Sequence, residues 1–311
     1  MDIPDYRLKL KSFHESASNG NLPTDQAILK LWLRNNNIDL PDAARMLLGR
    51  VVQTGVNFTL GLHDYSVLEG QQESLEINQA VREAISEYQD YEPRTFDDGK
   101  DKIDYGAFQD YIPDMVRCAS EAIKEHFKDV NQISGEFPQY FNEPKIDVPV
   151  LFYQDYSGGG KQLDLKCHAP IKNPPKKDGT FTWRVPKVKT EPLDSWVKQQ
   201  AVYWKATGQK PALLSVTATD YNIIDEKNCE QMQDDYLQNA YDEIVHSWIV
   251  FMNLLKDSNG ATRALATNVY HKDSNGDWKH ITSRVKLNYS DILQRYGIEI
   301  AQKSKQLWSI T

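Results

Sequence analysis

Asp155, Asp164 and Lys166 are the residues whose types and spacing could do chemistry together. Asp155 closes the apolar run Leu151-Phe152-Tyr153, the turn Ser157-Gly158-Gly159-Gly160 follows, and Asp164-Leu165-Lys166 lies in a second strand-like run. Paired as a hairpin, the two runs bring Asp155 and Asp164 toward one another near one end. The period of two of a strand then sets Asp164 and Lys166 on the same face. Two carboxylates in one cleft suit a hard divalent cation, with the lysine as a cationic group beside it. That is the equipment for metal-assisted hydrolysis of a phosphodiester. Taken one at a time, Asp155 reads as a strand-end acid facing water and Asp-x-Lys as a common tripeptide.

A second polar pair lies further along. Gln199 and Tyr203 are four apart in Gln199-Gln200-Ala201-Val202-Tyr203, so on a helix they stand one above the other. Between the two groups runs a basic tract of Lys161, Lys166, Lys172, Lys176, Lys177, Arg184, Lys187 and Lys189, opposed only by Asp164 and Asp178. Its local excess of +6 contrasts with a net charge of −8 for all 311 residues. A general nucleic-acid coat protein is therefore excluded, whereas a polyanion directed at the acidic pair is well served. Phe181 and Trp183 within the tract either stack on an exposed base or, as the plainer reading, pack against the sheet.

These residues need elements to position them. Apolar spacing predicts helices across 24–62, broken at Pro41, and across 73–89 and 107–127, with 91–105 a charged loop. Strands are expected at 133–141, 147–155 and 161–167, then a Pro- and Lys-rich loop over 170–189. A helix should begin near Glu191 to Leu193 and stop at Gly208, with a strand over 212–217 and a short one after it. Residues 227–256 read as a long helix, 263–271 and 277–284 as a hairpin around Asp273-Ser274-Asn275-Gly276, and 289–305 as a last helix. The expected fold is one α/β domain: a helical wall over 1–130, a catalytic core over 131–225 and an extension over 226–311.

Composition closes off other classes. At 40% hydrophobic and 26% charged the chain is that of a globular protein, and no run of about 18 apolar residues predicts a membrane span. The start, Met-Asp-Ile-Pro-Asp-Tyr-Arg, lacks the layout of a secretory signal. Cys118, Cys167 and Cys229 stand far apart, which supports neither a disulfide framework nor a zinc ribbon and suggests a reducing, cytoplasmic setting. His168 and His246 have no Cys or His at ligand spacing.

In their order along the chain these pieces resemble the PD-(D/E)xK nuclease superfamily, in particular its RecB-like and phage exonuclease branch. The matching segments are Val148–Asp155, Ser157–Gly160, Leu163–Lys166, Gln199–Tyr203 and Leu213–Thr217, with Gly49-Arg50-Val51-Val52-Gln53 where many relatives carry Gly-x-x-x-His. Two positions depart from the pattern: Gln53 replaces that His, and Phe152 replaces a Gly frequent three residues before the Asp. The resemblance implies a restriction-endonuclease-like core, a mixed central sheet flanked by helices. It implies Mg²⁺ or Mn²⁺ on Asp155, Asp164, the Leu165 carbonyl and, through its amide oxygen, Gln53. Lys166 would orient or deprotonate the attacking water, or offset phosphate charge. Gln199 would position water or phosphate, and Tyr203 would buttress the helix or touch the DNA backbone. The implied activity is a DNA exonuclease of phage-type recombination, replication or DNA degradation. The alternatives are a structure-specific endonuclease on the same fold and a catalytically silent DNA-binding or assembly module. In the last case the 225–256 helix and the C-terminal hairpin would meet a second copy or a recombination partner protein.

Overall fold

A computed structural model describes residues 3–18, 24–35, 43–62, 73–91, 99–128, 133–258, 270–272 and 278–280, with the single positions 22, 37, 298 and 302. Its helices are α1 (Asp5–Lys9), α2 (Thr24–Asn35), α3 (Ala44–Leu60), α4 (Ile77–Asp90), α5 (Gly99–Phe108), α6 (Ile112–Phe127), α7 (Asp194–Thr207) and α8 (Asp234–Asp257). The strands are β1 (Glu15–Ser16), β2 (Pro138–Phe141), β3 (Val150–Tyr153), β4 (Tyr156–Gly158), β5 (Lys161–Cys167), β6 (Ile171–Lys172) and β7 (Trp183–Arg184). After them come β8 (Leu213–Val216), β9 (Tyr221–Ile224), β10 (Tyr270–Lys272) and β11 (Trp278–His280). The chain is mixed α/β, and no described helix is long and apolar enough to cross a membrane.

Contacts group the residues into two units, one of Met1–Pro41, Gln139–Phe152 and Tyr241–Thr311, the other of Asp42–Pro138 and Tyr153–Ala240. In the first, β1 pairs in parallel with β3, which lies between β1 and β2. Arg7, fully buried, donates to Glu15 at 2.8 Å, Asp147 at 3.0 Å and Ser12 at 3.1 Å. It supplies the counter-charge without which a buried Glu15 would be costly.

The second unit carries a four-stranded mixed sheet in the order β4-β5-β8-β9, with β5 and β8 parallel and the outer pairs antiparallel. Alternation along β5 divides its faces. Leu163, Leu165 and Cys167 turn toward the apolar cluster built with α3, α4 and α6, through Leu47, Val51, Ala84, Met115 and Ala119 among others. Gln162, Asp164 and Lys166 take the opposite face, toward α7. The close approach of α3 to α6 depends on Gly55, where an added Cβ would lie 2.7 Å from Val116 Cγ2.

Four expectations change. The run ending at Tyr153 is not the hairpin partner of 161–167: β3 joins the sheet of β1 and β2, and β4 pairs with β5 instead. Turn chemistry explains this, because Gly159 and Gly160 take φ of +56° and +75°, the two-residue turn that locks Gly158 opposite Lys161. The loop expected over 91–105 contains the start of α5. Tyr88 and Tyr105 stack at 4.6 Å and each hydroxyl donates to the other's carbonyl, at 2.8 and 2.7 Å, fastening α5 to α4. The loop expected over 170–189 holds the β6–β7 ribbon. Helix α8 begins at Asp234, after a 3₁₀ turn at Glu230–Met232. β10 and β11 pair antiparallel, the 273–277 turn between them lies outside the described residues, and so does nearly all of the 289–305 helix.

Replacing Gly55 with Val forces α3 and α6 apart. Urea unfolding of Gly55→Val should show a loss of about 1–3 kcal/mol, despite the better helix propensity of Val.

Candidate active site

The β4–β5 ladder ends at Tyr156 opposite Leu163, and one further residue in that register sets Asp155 beside Asp164. Because β4 stops there, the edge of β5 beyond Leu163 is open to Asp155. Its Oδ2 accepts the Leu165 N–H at 2.7 Å. The N–H groups of Asp164 and His168 go the other way, to Ala212 and Val216 carbonyls at 3.0 and 2.8 Å. A strand residue directs its N–H and C=O to the same side, so the Leu165 carbonyl also faces the Asp155 edge. The structure thus sets Asp155 beside Asp164, the pairing expected from the spacing, with the Leu165 carbonyl on the same edge as Asp155.

Asp164 is buried, at 3% exposure, and its counter-charge is Lys166, whose Nζ lies 2.5 Å from Asp164 Oδ2. Lys166 Nζ also donates to Gln199 Oε1 at 3.0 Å, and Gln199 Nε2 donates to the Tyr203 hydroxyl at 2.5 Å. Helical spacing makes this chain possible: α7 presents Gln199 and Tyr203 on one stripe, which lies over Lys166. Asp194 in the first turn of α7 and Gly208, at φ +70° after its last, fix where the helix begins and ends. Buried amides hold the same interface, since Gln162 of β5 donates to Gln200 of α7 at 3.5 Å and accepts from Gln154. Tyr203 is 3% exposed, so it buttresses α7 and has no surface to offer a DNA backbone. Gln199 is spent on Lys166 and Tyr203, which makes it the positioner of the lysine.

The electrostatics follow from two acids at close quarters. Burial, and then the neighbouring Asp164 carboxylate, push the Asp155 carboxyl well above its usual range, against the pull of Lys166 and the Leu165 N–H. For Lys166, burial alone lowers the pKa, but the Asp164 and Asp155 charges outweigh it and the ammonium is stabilised. Burial, then Asp164 and Asp155, likewise drive the Tyr203 phenol upward, so it stays neutral.

One acid escapes the sequence spacing. Glu136, half-buried, accepts from Gln53 Nε2 at 3.1 Å, and its carboxyl is raised by burial and by the charge on Asp164. Gln53 of α3 therefore reaches the acidic group through Glu136. The only trace in the sequence is a lone acid in the apolar-flanked Ile133-Ser134-Gly135-Glu136-Phe137. What brings it in is the bridge between Ser134 and Ser157, with N–H to O distances of 2.7 and 3.0 Å.

The basic residues divide. Lys161 stands apart from the others: it starts β5, about 17 Å of strand from Lys166, and donates to the His126 carbonyl at 3.2 Å. There it lines a cavity of about 600 Å³ with Lys210, Lys227, Asp225 and Glu226, a lining of mixed charge. Lys172, Lys176, Lys177 and Arg184 belong to the ribbon, and Lys187 and Lys189 to the irregular segment that follows β7. Trp183 packs edge-on to Phe108 of α5 at 5.6 Å, a helix in place of the sheet face expected for it, while Phe181 remains 41% exposed. His168 meets the Ser215 hydroxyl at 2.8 Å, and His246 is exposed on α8.

Among the described residues no three His, Cys, Asp or Glu side chains gather at metal-holding separation. The donors available are two carboxylates and a carbonyl, and that set fits Mg²⁺, which keeps several waters and needs few protein oxygens. The Asp164 charge adds to burial in raising the Asp155 carboxyl, and a positive charge between the two acids would offset both effects. Comparison with protein-family models, with curated proteins and with solved structures finds no match.

A raised carboxyl costs stability when it ionises. Below the ordinary carboxylate pKa of about 4 both states hold the proton; above it the unfolded chain releases the proton first, and stability falls until the folded-state value is passed. Asp155→Asn removes that loss and keeps an acceptor for the Leu165 N–H. With chelator present it should melt above the parent at about pH 8, the advantage shrinking as the pH falls toward about 4. Differential scanning fluorimetry across that range checks the sign.

Proposed function

We propose that this chain is a metal-dependent deoxyribonuclease, acting as an exonuclease on a restriction-endonuclease-like core, in DNA recombination, replication or degradation. The observation that carries the reading is the unbroken line Asp164–Lys166–Gln199–Tyr203 beside Asp155 at the open edge of β5. It supplies, in one place, the acids, the cation and the amide that a phosphodiester hydrolase of this kind needs.

The residues act as follows. Asp155, Asp164 and the Leu165 carbonyl would hold Mg²⁺ or Mn²⁺. When bound, that cation supplies Lewis-acid charge to the phosphate and makes water more acidic. Before a cation binds, the Asp164 and Asp155 charges favour the ammonium form of Lys166 against the opposing effect of burial. Lys166 neutralises charge on the phosphate and orients water toward phosphorus. Gln199, anchored by the neutral Tyr203, fixes the Lys166 side chain in that direction. Holding a donor where charge develops is worth more than supplying it on a free side chain, because no reorganisation is needed during reaction.

Asp164→Asn and Lys166→Gln are the informative variants, since each removes one charge of the pair but keeps a side chain of similar size that can still hydrogen-bond the partner, which Ala cannot. Each, shown folded by circular dichroism, should degrade end-labelled linear duplex with Mg²⁺ at least about 10²-fold more slowly than the parent. An exonuclease leaves closed circular DNA intact. Variants that match the parent would remove the site assignment.

A further inference from the structure

We infer that the β6–β7 ribbon is an arm that grips the phosphate backbone of duplex DNA beside the Asp155–Asp164–Lys166 site, an inference that rests on the nuclease reading. The segment is built well past its two ladder pairs, Ile171 with Arg184 and Lys172 with Trp183. The Asn173 N–H donates to the Thr182 carbonyl at 2.9 Å, and the Lys176 N–H to the Thr180 carbonyl at 2.8 Å. Gly179, at φ +81°, closes the tip, where the Asp178 carboxylate accepts the Thr180 N–H at 2.9 Å and its hydroxyl at 2.7 Å. From root to tip the ribbon extends about 20 Å.

Its root is tied to the sheet that carries the site. Ser215 is the register partner of Lys166, and the same Ser215 hydroxyl meets His168 and the Lys189 N–H, each at 2.8 Å. Those two residues are the two ends of the arm. Lys166 Nζ and Lys189 Nζ stand 5.8 and 5.9 Å from one indole, that of Trp196. Trp183 and Val185 pack on the main core, so the arm has a firm base.

Charge and exposure identify what it fits. Residues 168–190 hold six Lys and Arg against one Asp, within a chain of net charge −8. Among the described residues none of Lys172, Lys176, Lys177, Arg184 and Lys187 has an ion-pair partner, while Lys210 on the far end of the sheet has two. Lys172 lies over the Phe181 ring at 3.6 Å, which occupies one face of that ring and directs the lysine across the ribbon. Pro174 and Pro175 carry no N–H, so the outer edge is a poor template for pairing with a strand of another protein. A cationic two-stranded ribbon of this size suits a groove of duplex DNA and the phosphates along it.

The test uses Asp164→Asn protein, so that DNA survives, and anisotropy of a labelled duplex of about 20 base pairs across a salt series. Adding Lys176→Gln and Lys177→Gln should weaken binding and lower the slope of log K against log salt by about two, one for each phosphate no longer neutralised. Lys124→Gln with Lys227→Gln, two exposed lysines away from the ribbon, should change neither. An unchanged slope in the ribbon variant, with the parent binding normally, overturns the inference and leaves the nuclease reading standing. A weakening confined to single-stranded oligonucleotide overturns the duplex assignment. No binding of DNA by the parent at low salt overturns both readings.

Discussion

The placement of two acids, Asp155 and Asp164, side by side at the end of the β4–β5 ladder is the constraint on which the candidate site depends. Asp164 is buried and Asp155 half-buried, and the pair is tolerated because each acid has been given a cationic or N–H partner. Lys166 supplies charge to Asp164, and the Leu165 N–H supplies a donor to Asp155. These compensations come from one tripeptide, Asp164-Leu165-Lys166, whose alternating directions serve the α7 face, the core and the open edge at once. Ending β4 at Tyr156 is what exposes that edge.

The helices answer the same constraint. Without α7, Lys166 would be held by carboxylates alone; Gln199 and Tyr203 give its ammonium a fixed direction. On the other face, α3 and α6 meet closely enough at Gly55 to cover Leu163 and Leu165. Glu136 adds a further negative charge, which Gln53 moderates by donating to it. Aligned this way, the unit keeps an acidic edge at some cost in folding stability, as functional sites commonly do.

Local patterns carry much of this into the sequence. The alternation in β5, the four-residue spacing of Gln199 and Tyr203, and the Gly208 stop are properties of neighbouring residues, and each lies where local spacing puts it. What is illegible depends on distant partners. Apolar patterning assigns the hairpin to the run before Asp155, but a two-residue glycine turn selects Tyr156–Gly158. α5 is fastened by the Tyr88–Tyr105 stack, which no charge pattern announces. Glu136 enters through a bridge of Ser134 to Ser157, and the ribbon is hidden because Pro174-Pro175 reads as loop. Lys161 shows the converse: a cation close in sequence to Lys166 faces a separate cavity.

The central claim is that Asp155, Asp164 and the Leu165 carbonyl together form a seat for a divalent cation. Anomalous diffraction from a crystal of the protein grown with Mn²⁺ tests it most directly. The account predicts one or two peaks at roughly 2.0–2.3 Å from oxygens of both carboxylates, with the Leu165 carbonyl as a further ligand. Mn²⁺ bound elsewhere, with the Asp164–Lys166 pair closed and no peak at Asp155, would contradict it.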